Sequence, residues 1–263
     1  MTAELDLPSL LRAAEHAASA GGSIVAEHFG AAGNVREKAP GDWVSDVDTN
    51  SEAAVRASLE RDWPSLPVFG EEGGGVRGDV GWLVDPLDGT ANFLHGFPAV
   101  GVSVALVEHG VPVVGVVHAP LLGTTYTAYR GSGAFSNGEA MTVSARDAER
   151  AICATGFPFR AKADRLDEYL PVFEAALRRF EDLRRVGSAS LDLAWTAAGV
   201  FDGYFEQALG PWDVAAGALL VREAGGVVTD WSGDDRAWLT SGDIVAGSPA
   251  LHAALLELTR TTC

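Results

Sequence analysis

Trp82-Leu83-Val84-Asp85-Pro86-Leu87-Asp88-Gly89-Thr90-Ala91-Asn92-Phe93 is the stretch on which the reading of this chain turns. The apolar run Trp82 to Val84 predicts a strand that delivers Asp85 to its C-terminal end, and Pro86 stiffens the exit. Asp88 follows three residues later, before Gly89-Thr90 opens a turn or helix. Two carboxylates therefore converge on one small volume. Unpaired, they repel and raise each other's proton affinity; a hard divalent cation with oxygen ligands removes that conflict. The backbone amides after Asp88, with the Thr90 hydroxyl, form the kind of nest that accepts a phosphate. For Asp85 taken alone, an Asx-type turn with a helix cap is the plainer alternative.

Strand grammar continues outward from this segment. Val100 to Val107, Val111 to Val117 and Thr124 to Tyr129 predict an antiparallel meander, with Glu108-His109-Gly110 as a hairpin turn. Upstream, Leu10, Leu11, Ala14, Ala18, Val25 and Phe29 keep helical spacing across an interruption at Gly21-Gly22. A second helix is signalled by the capping box Thr49-Asn50-Ser51-Glu52 and stopped by Pro64, which puts Asp48 just before a helix start. Beyond the turn-rich Gly131 to Gly138, strands and helices alternate. Strands are expected near Ile152-Cys153-Ala154, Leu183 to Val186, Tyr204-Phe205 and Val227-Val228, and helices over 164–180, 188–198, 214–224 and after Pro249. With no repeat or low-complexity tract between the halves, the expectation is one compact unit of two sub-domains. These are 1–145, α+β and carrying most candidate ligands, and 146–263, α/β and carrying Asp213.

Charge narrows the function classes. Lys and Arg number 19 against 36 Asp and Glu, a net charge of −17 over 263 residues, so the general surface repels phosphate backbones and anionic headgroups. Direct nucleic-acid binding and membrane association are therefore not expected. An anionic substrate would need a positive mediator, for which a metal ion is the natural choice. Cys153 and Cys263 form no metal or redox motif, which suits a reducing cytoplasm. The N-terminus carries Glu4 and Asp6 rather than a basic leader, and no apolar run is long enough to span a membrane.

Other carboxylates are ambiguous when read singly. Glu71 and Glu72 sit in the glycine-rich loop Phe69-Gly70-Glu71-Glu72-Gly73, where a solvated acidic loop explains them more readily than metal binding does. Asp213, in Gly210-Pro211-Trp212-Asp213-Val214-Ala215-Ala216-Gly217, starts a small-residue helix, and N-capping accounts for it as readily as metal binding. Two rival motifs fail on spacing. An EF-hand loop from Asp85 would need Glu at its twelfth position, which is Gly96, and its third position is Leu87. Haloacid-dehalogenase-like phosphatases place their second Asp two residues after the nucleophile, whereas here the separation is three. No P-loop, dinucleotide fingerprint or paired-His zinc motif is present.

Taken together and in order, Gly70-Glu71-Glu72, Asp85 to Phe93 and Trp212 to Gly217 resemble the signatures of the inositol monophosphatase family, magnesium-dependent and lithium-sensitive phosphomonoesterases of the superfamily that includes fructose-1,6-bisphosphatase. The likeness runs from about Lys38 to Gly226. It implies a layered αβαβα sandwich, usually a homodimer, and metal ligation by Glu71, Asp85, the Leu87 carbonyl, Asp88 and Asp213. It implies that Asp48 works with Thr90 on the attacking water and that Gly89 and Thr90 hold the phosphate through backbone amides. Arg185-Val186-Gly187-Ser188-Ala189 resembles the family's polyol-facing segment, with Ser188 in place of the commoner Thr, and Glu206 matches its sugar-hydroxyl acceptor. Without the resemblance, Glu206 reads as a surface charge at a strand end. Five carboxylates with a phosphate monoester of charge about −2 leave roughly −3 with two Mg²⁺ and roughly −1 with three. Two or three ions are therefore expected. Ala91-Asn92-Phe93 resembles the inositol-phosphatase version of the motif, which implies a small polyol monophosphate as substrate. Histidinol phosphate, fructose 1,6-bisphosphate and a regulatory binding role on the same fold are the alternatives.

Overall fold

The computed structural model describes residues 5–31, 33–39 and 42–261, so Cys263 and Glu4 lie outside the described residues. Helix α1 spans Leu7–Glu27, and its Leu10, Ala14, Ala17, Ala18 and Val25 are buried at helical spacing. A short antiparallel pair, β1 (Val35–Ala39) and β2 (Asp42–Ser45), leads into α2 (Asp46–Asp62). Gly21 does not interrupt α1. A Cβ there would stand 2.7 Å from Ser51 Oγ and Val55 Cγ2 of α2, so the glycine marks where the two helices cross.

Next come β3 (Val68–Gly70), β4 (Val80–Asp88), α3 (Thr90–Leu94), β5 (Gly101–Glu108), β6 (Val111–Ala119), β7 (Thr124–Tyr129), β8 (Ala134–Ser136) and β9 (Glu139–Met141). The seven strands lie side by side in sequence order. Only β3 and β4 run parallel; the rest form the expected meander. His109 and Gly110 both have positive φ, 50° and 79°, as a two-residue hairpin turn requires.

The second half contributes β10 (Ile152–Thr155), α4 (Lys162–Arg179), β11 (Asp182–Arg184), α5 (Ala189–Ala197), β12 (Gly203–Glu206), α6 (Pro211–Glu223), β13 (Val227–Thr229), α7 (Trp238–Ser241), β14 (Ile244–Gly247) and α8 (Pro249–Thr261). Its five strands are ordered β11-β10-β12-β14-β13, with β14 antiparallel to both neighbours. Sequence reading missed β14, since a run of four residues before a helix carries little periodic signal. The sheet is consequently mixed rather than wholly parallel.

Helices α1 and α2 cover one face of the large sheet, α5 and α6 fill the space between the sheets, and α4 and α8 cover the far face of the small one. This is a five-layer αβαβα sandwich. Both faces of the large sheet are covered, which is why β4 to β6 read as nearly continuous apolar runs rather than alternating ones. Among the described residues no helix is long and apolar enough to cross a membrane.

Two helix starts differ from expectation, and both differences move a candidate site carboxylate. The N-cap of α2 is Ser45: its Oγ accepts the Val47 N–H at 3.2 Å, while its own N–H donates to Asp48 Oδ2 at 2.8 Å. Asp48 is thus inside the first turn, not ahead of it. Ser51, within the expected capping box, donates its hydroxyl to the Pro86 carbonyl of β4 at 2.8 Å. Likewise α6 begins at Pro211 and Asp213 lies in its first turn, accepting the Gly210 N–H at 2.6 Å.

Because α1 and α2 approach so closely at Gly21, Gly21→Val should destabilise the fold by about 1–3 kcal/mol through overpacking. The check is a thermal melt, in which an unchanged midpoint would mean that the helices can part there without cost.

Candidate active site

Three chain segments bring carboxylates to one place. Glu71 follows β3 and donates its N–H to the Val84 carbonyl at 3.0 Å, which sets it beside Asp85 on β4. Asp213 arrives from the first turn of α6. One carboxylate oxygen from each of Glu71, Asp85 and Asp213 lies within 4.8 Å of the other two. Asp85 is 1% exposed, and its Oδ1 accepts the Leu87 N–H at 3.0 Å. Asp88 is buried too, and three donors converge on its Oδ2: Ser188 Oγ at 2.7 Å, Ser190 N–H at 2.7 Å and Ser190 Oγ at 2.6 Å.

So much negative charge out of water is costly, and the proton affinities record it. Burial, reinforced by Asp213, pushes Glu71 up to about 7 against the pull of Arg160 and Lys38. Asp88 is pushed up to about 6 by burial and Asp213, with the Ser190 and Ser188 donors opposing. Asp85 is driven well above the ordinary carboxylate range by burial, then by Glu71, Asp88 and Asp213. Two cations offset part of this charge. Arg160 donates to Asp213 Oδ2 at 2.6 Å and to Glu71 Oε1 at 3.2 Å, while Lys38 reaches Glu71 Oε1 at 3.1 Å and Glu72 Oε1 at 2.8 Å. Half-buried or buried, mutually repelling and all oxygen, Glu71, Asp85 and Asp213 suit a hard divalent cation.

Asp48 and Thr90 form a second feature. Ser45 N–H and Oγ donate to Asp48 Oδ2 at 2.8 and 2.6 Å, which turns Oδ1 toward Thr90 Oγ1 at 2.8 Å. The same hydroxyl lies 3.1 Å from the Leu87 carbonyl. Burial raises the Asp48 carboxyl, and the Ser45 and Thr90 bonds hold it down in part. Gly89, at φ +90°, makes the sharp turn that starts α3 and places Thr90 there.

Glu71, Asp85, Asp88, Gly89, Thr90 and Asp213 line a cleft of about 220 Å³, and Asp48 stands behind Thr90 rather than in the lining. Gly187, Ala189, Arg185 and Glu206 form the side contributed by the second half of the chain. Ser188 faces away from the opening, onto Asp88. Glu206 is not a surface charge: it is 5% exposed, accepts the Tyr204 hydroxyl at 2.5 Å and is pushed up to about 8 by burial. Asn92 Nδ2 lies 2.8 to 3.3 Å from the carbonyls of Ala99, Val186 and Gly187, tying segment 85–93 to segment 185–189. Arg160, Lys38 and Ser190 were not singled out from sequence. A lone cation on a short strand or a single helical turn and a serine inside a helix carry no spacing signal, and only the folded chain brings them to the acids.

A carboxyl whose folded proton affinity is raised stabilises the fold below its unfolded value and loses that contribution as pH rises through the folded one. Asp85→Asn, melted in EDTA, should therefore gain stability over wild type as pH rises from 5 to 8, reaching about 2–4 °C or roughly 1 kcal/mol. A variant that melts below wild type at pH 8 would show that the Asp85 charge is not under strain.

The Inositol monophosphatase family model matches residues 6–262. Nus factor SuhB of Escherichia coli strain K12 is 42% identical over 253 residues, covering 94% of each chain. Among solved structures, the extragenic suppressor protein suhB from Bartonella henselae aligns with a TM-score of 0.91 at 36% identity, covering 96% of this chain and 98% of that one. Inositol monophosphatase from Anabaena aligns with a TM-score of 0.88 at 32% identity, covering 98% and 97%. The name Nus factor corrects one expectation. The expectation of no direct nucleic-acid binding, made beside a small-molecule phosphate monoester and a second copy of the chain as partners, does not stand against a relative named as a Nus factor. The charge of −17 is an average over the whole surface and says nothing of a local patch or of a partner that brings its own contacts. Over nearly its whole length, and with the acidic motifs assembled in one cleft, this chain belongs to the inositol monophosphatase family.

Proposed function

We propose that this protein is a Mg²⁺-dependent phosphomonoesterase that hydrolyses myo-inositol monophosphate or a similar polyol or sugar phosphate. The observation that carries the reading is the approach of Glu71, Asp85 and Asp213 oxygens to within 4.8 Å of one another in a cleft shared with Thr90 and Glu206. In this reading Glu71, Asp85, the Leu87 carbonyl, Asp88 and Asp213 hold two or three Mg²⁺ ions, and the two sub-domains, 1–145 and 146–263, meet at the cleft. Bound Mg²⁺ supplies Lewis-acid stabilisation of phosphate charge and makes water acidic enough to ionise near neutral pH. Asp88 Oδ2 is committed to Ser188 and Ser190, which leaves Oδ1 for the metal.

The chain's own groups then divide the work. Asp48 takes the proton of the attacking water through the Thr90 hydroxyl, already 2.8 Å from its Oδ1. The Gly89 and Thr90 amides orient the phosphate. Glu206, with one oxygen held by Tyr204, is available to a polyol hydroxyl. The name of the E. coli relative favours a second reading, in which the fold also serves a regulatory role through a partner surface.

A panel of phosphate monoesters assayed with Mg²⁺ and with EDTA tests the first reading. Turnover of a polyol monophosphate is expected with Mg²⁺ and should vanish in EDTA; full turnover without metal would refute it. Preference for histidinol phosphate or fructose 1,6-bisphosphate would keep the chemistry and correct the substrate.

Thr90→Ala should lower kcat by about 10²-fold, within the range for losing a positioned proton-transfer group, with KM changing less because the backbone amides remain. An unaffected rate would remove Thr90 from the proton path. Pull-down with Asp88→Asn addresses the second reading. A partner retained by this variant acts independently of metal, and a partner lost with it makes regulation depend on the loaded site.

A further inference from the structure

Glu52 lies on α2 one turn after Asp48, is 3% exposed, and has no part in the scheme above. Its carboxylate accepts two backbone N–H groups of the loop that follows β3: Glu72 at 2.8 Å on Oε2 and Gly73 at 3.0 Å on Oε1. Arg56, one turn further on, donates Nε to Glu52 Oε1 at 2.8 Å. Its terminal nitrogens reach the Val68 carbonyl at 2.9 Å and the Gly74 carbonyl. The pair grips the chain on both sides of Glu71.

The glycines around Glu71 fit the same contact. A Cβ at position 70 would lie 2.4 Å from the Glu52 carboxyl carbon, and one at position 73 would lie 2.6 Å from Oε1. Gly70 and Gly73 leave the space that Glu52 fills. Residues four apart on a helix share a face and are separated by about 6 Å of rise, so one rigid helix presents Asp48 to Thr90 and Glu52 to the Glu71 loop. A buried carboxylate held by three charge-assisted bonds fixes geometry closely, because moving the loop would strand its charge.

We infer that Glu52, braced by Arg56, is a positioning residue that holds the Glu71 loop against α2 and so sets Glu71 in register with Asp48. This rests on reading Glu71 as a Mg²⁺ ligand. It predicts that loosening the clamp weakens metal binding while leaving chemistry at saturating metal largely intact.

The experiment measures Mg²⁺ affinity by calorimetry for wild type, Glu52→Gln and Arg56→Lys, with melts in EDTA and with kcat and KM at saturating Mg²⁺. Glu52→Gln, which keeps the shape but loses one acceptor, should raise the Mg²⁺ Kd by about tenfold or more, the usual scale for partners of metal ligands. Saturating Mg²⁺ should restore most of kcat with KM unchanged, and Arg56→Lys should shift Kd less and in the same direction. A purely structural brace would lower the melting midpoint and leave Kd at the wild-type value, which overturns the inference. A kcat that stays low at saturating Mg²⁺ also overturns it, since Glu52 would then act through Asp48 instead. If Glu52→Gln does not fold, Arg56→Lys decides alone, and an unchanged Kd there is fatal. Wild type that binds no Mg²⁺ would defeat the ligand reading itself, an outcome distinct from failure of the variants only.

Discussion

Repulsion among buried carboxylates is the constraint on which the rest of this structure depends. Glu71, Asp85, Asp88 and Asp213 come from three separate stretches of chain, and burial and mutual charge raise the proton affinity of the first three. A fold selected only for stability would replace such a cluster with apolar residues. Here it is kept, and its surroundings are arranged to make it tolerable: serine donors on Asp88, backbone amides on Asp85 and Asp213, and the Arg160 and Lys38 cations on the outer oxygens. Such stored electrostatic strain is expected at a functional site, where a bound cation can relieve it.

The layered architecture is what makes the convergence possible. The large sheet ends β3 and β4 side by side, so Glu71 and Asp85 are neighbours through one backbone hydrogen bond. The central helix layer supplies Asp213 from α6, and through Ser188 and α5 the donors to Asp88. On the opposite side of the large sheet α2 presents Asp48, Ser51 and Glu52 within two turns. These reach Thr90, Pro86 and the Glu71 loop respectively. One helix therefore registers Asp48, the strand that carries Asp85 and the loop that carries Glu71 together.

Much of this was legible in the sequence because the decisive residues are local. Asp85 to Phe93 announces a strand, two acids and a turn in consecutive residues, and the meander after it follows from apolar runs and one two-residue turn. Elements defined by tertiary partners were harder to see. Strand β14 is four residues long and became recognisable only between β12 and β13. The capping-box pattern at Thr49 to Glu52 has the right spacing, but the helix had already started at Ser45, and Ser51 and Glu52 bind distant backbone instead. Glu206 reads as a surface charge until its strand is placed at the centre of a sheet beneath the cleft. A whole-chain charge cannot exclude a macromolecular partner, since recognition is decided by local patches.

Hydrolysis in ¹⁸O-water of a polyol phosphorothioate made chiral at phosphorus with the lighter oxygen isotopes tests the central claim most directly. A single in-line attack by water on phosphorus, with the proton passing through Thr90 to Asp48, inverts the configuration at phosphorus and leaves no phosphate on the enzyme. Retention of configuration, the outcome of two successive displacements through a covalent aspartyl phosphate on Asp85, would contradict the account.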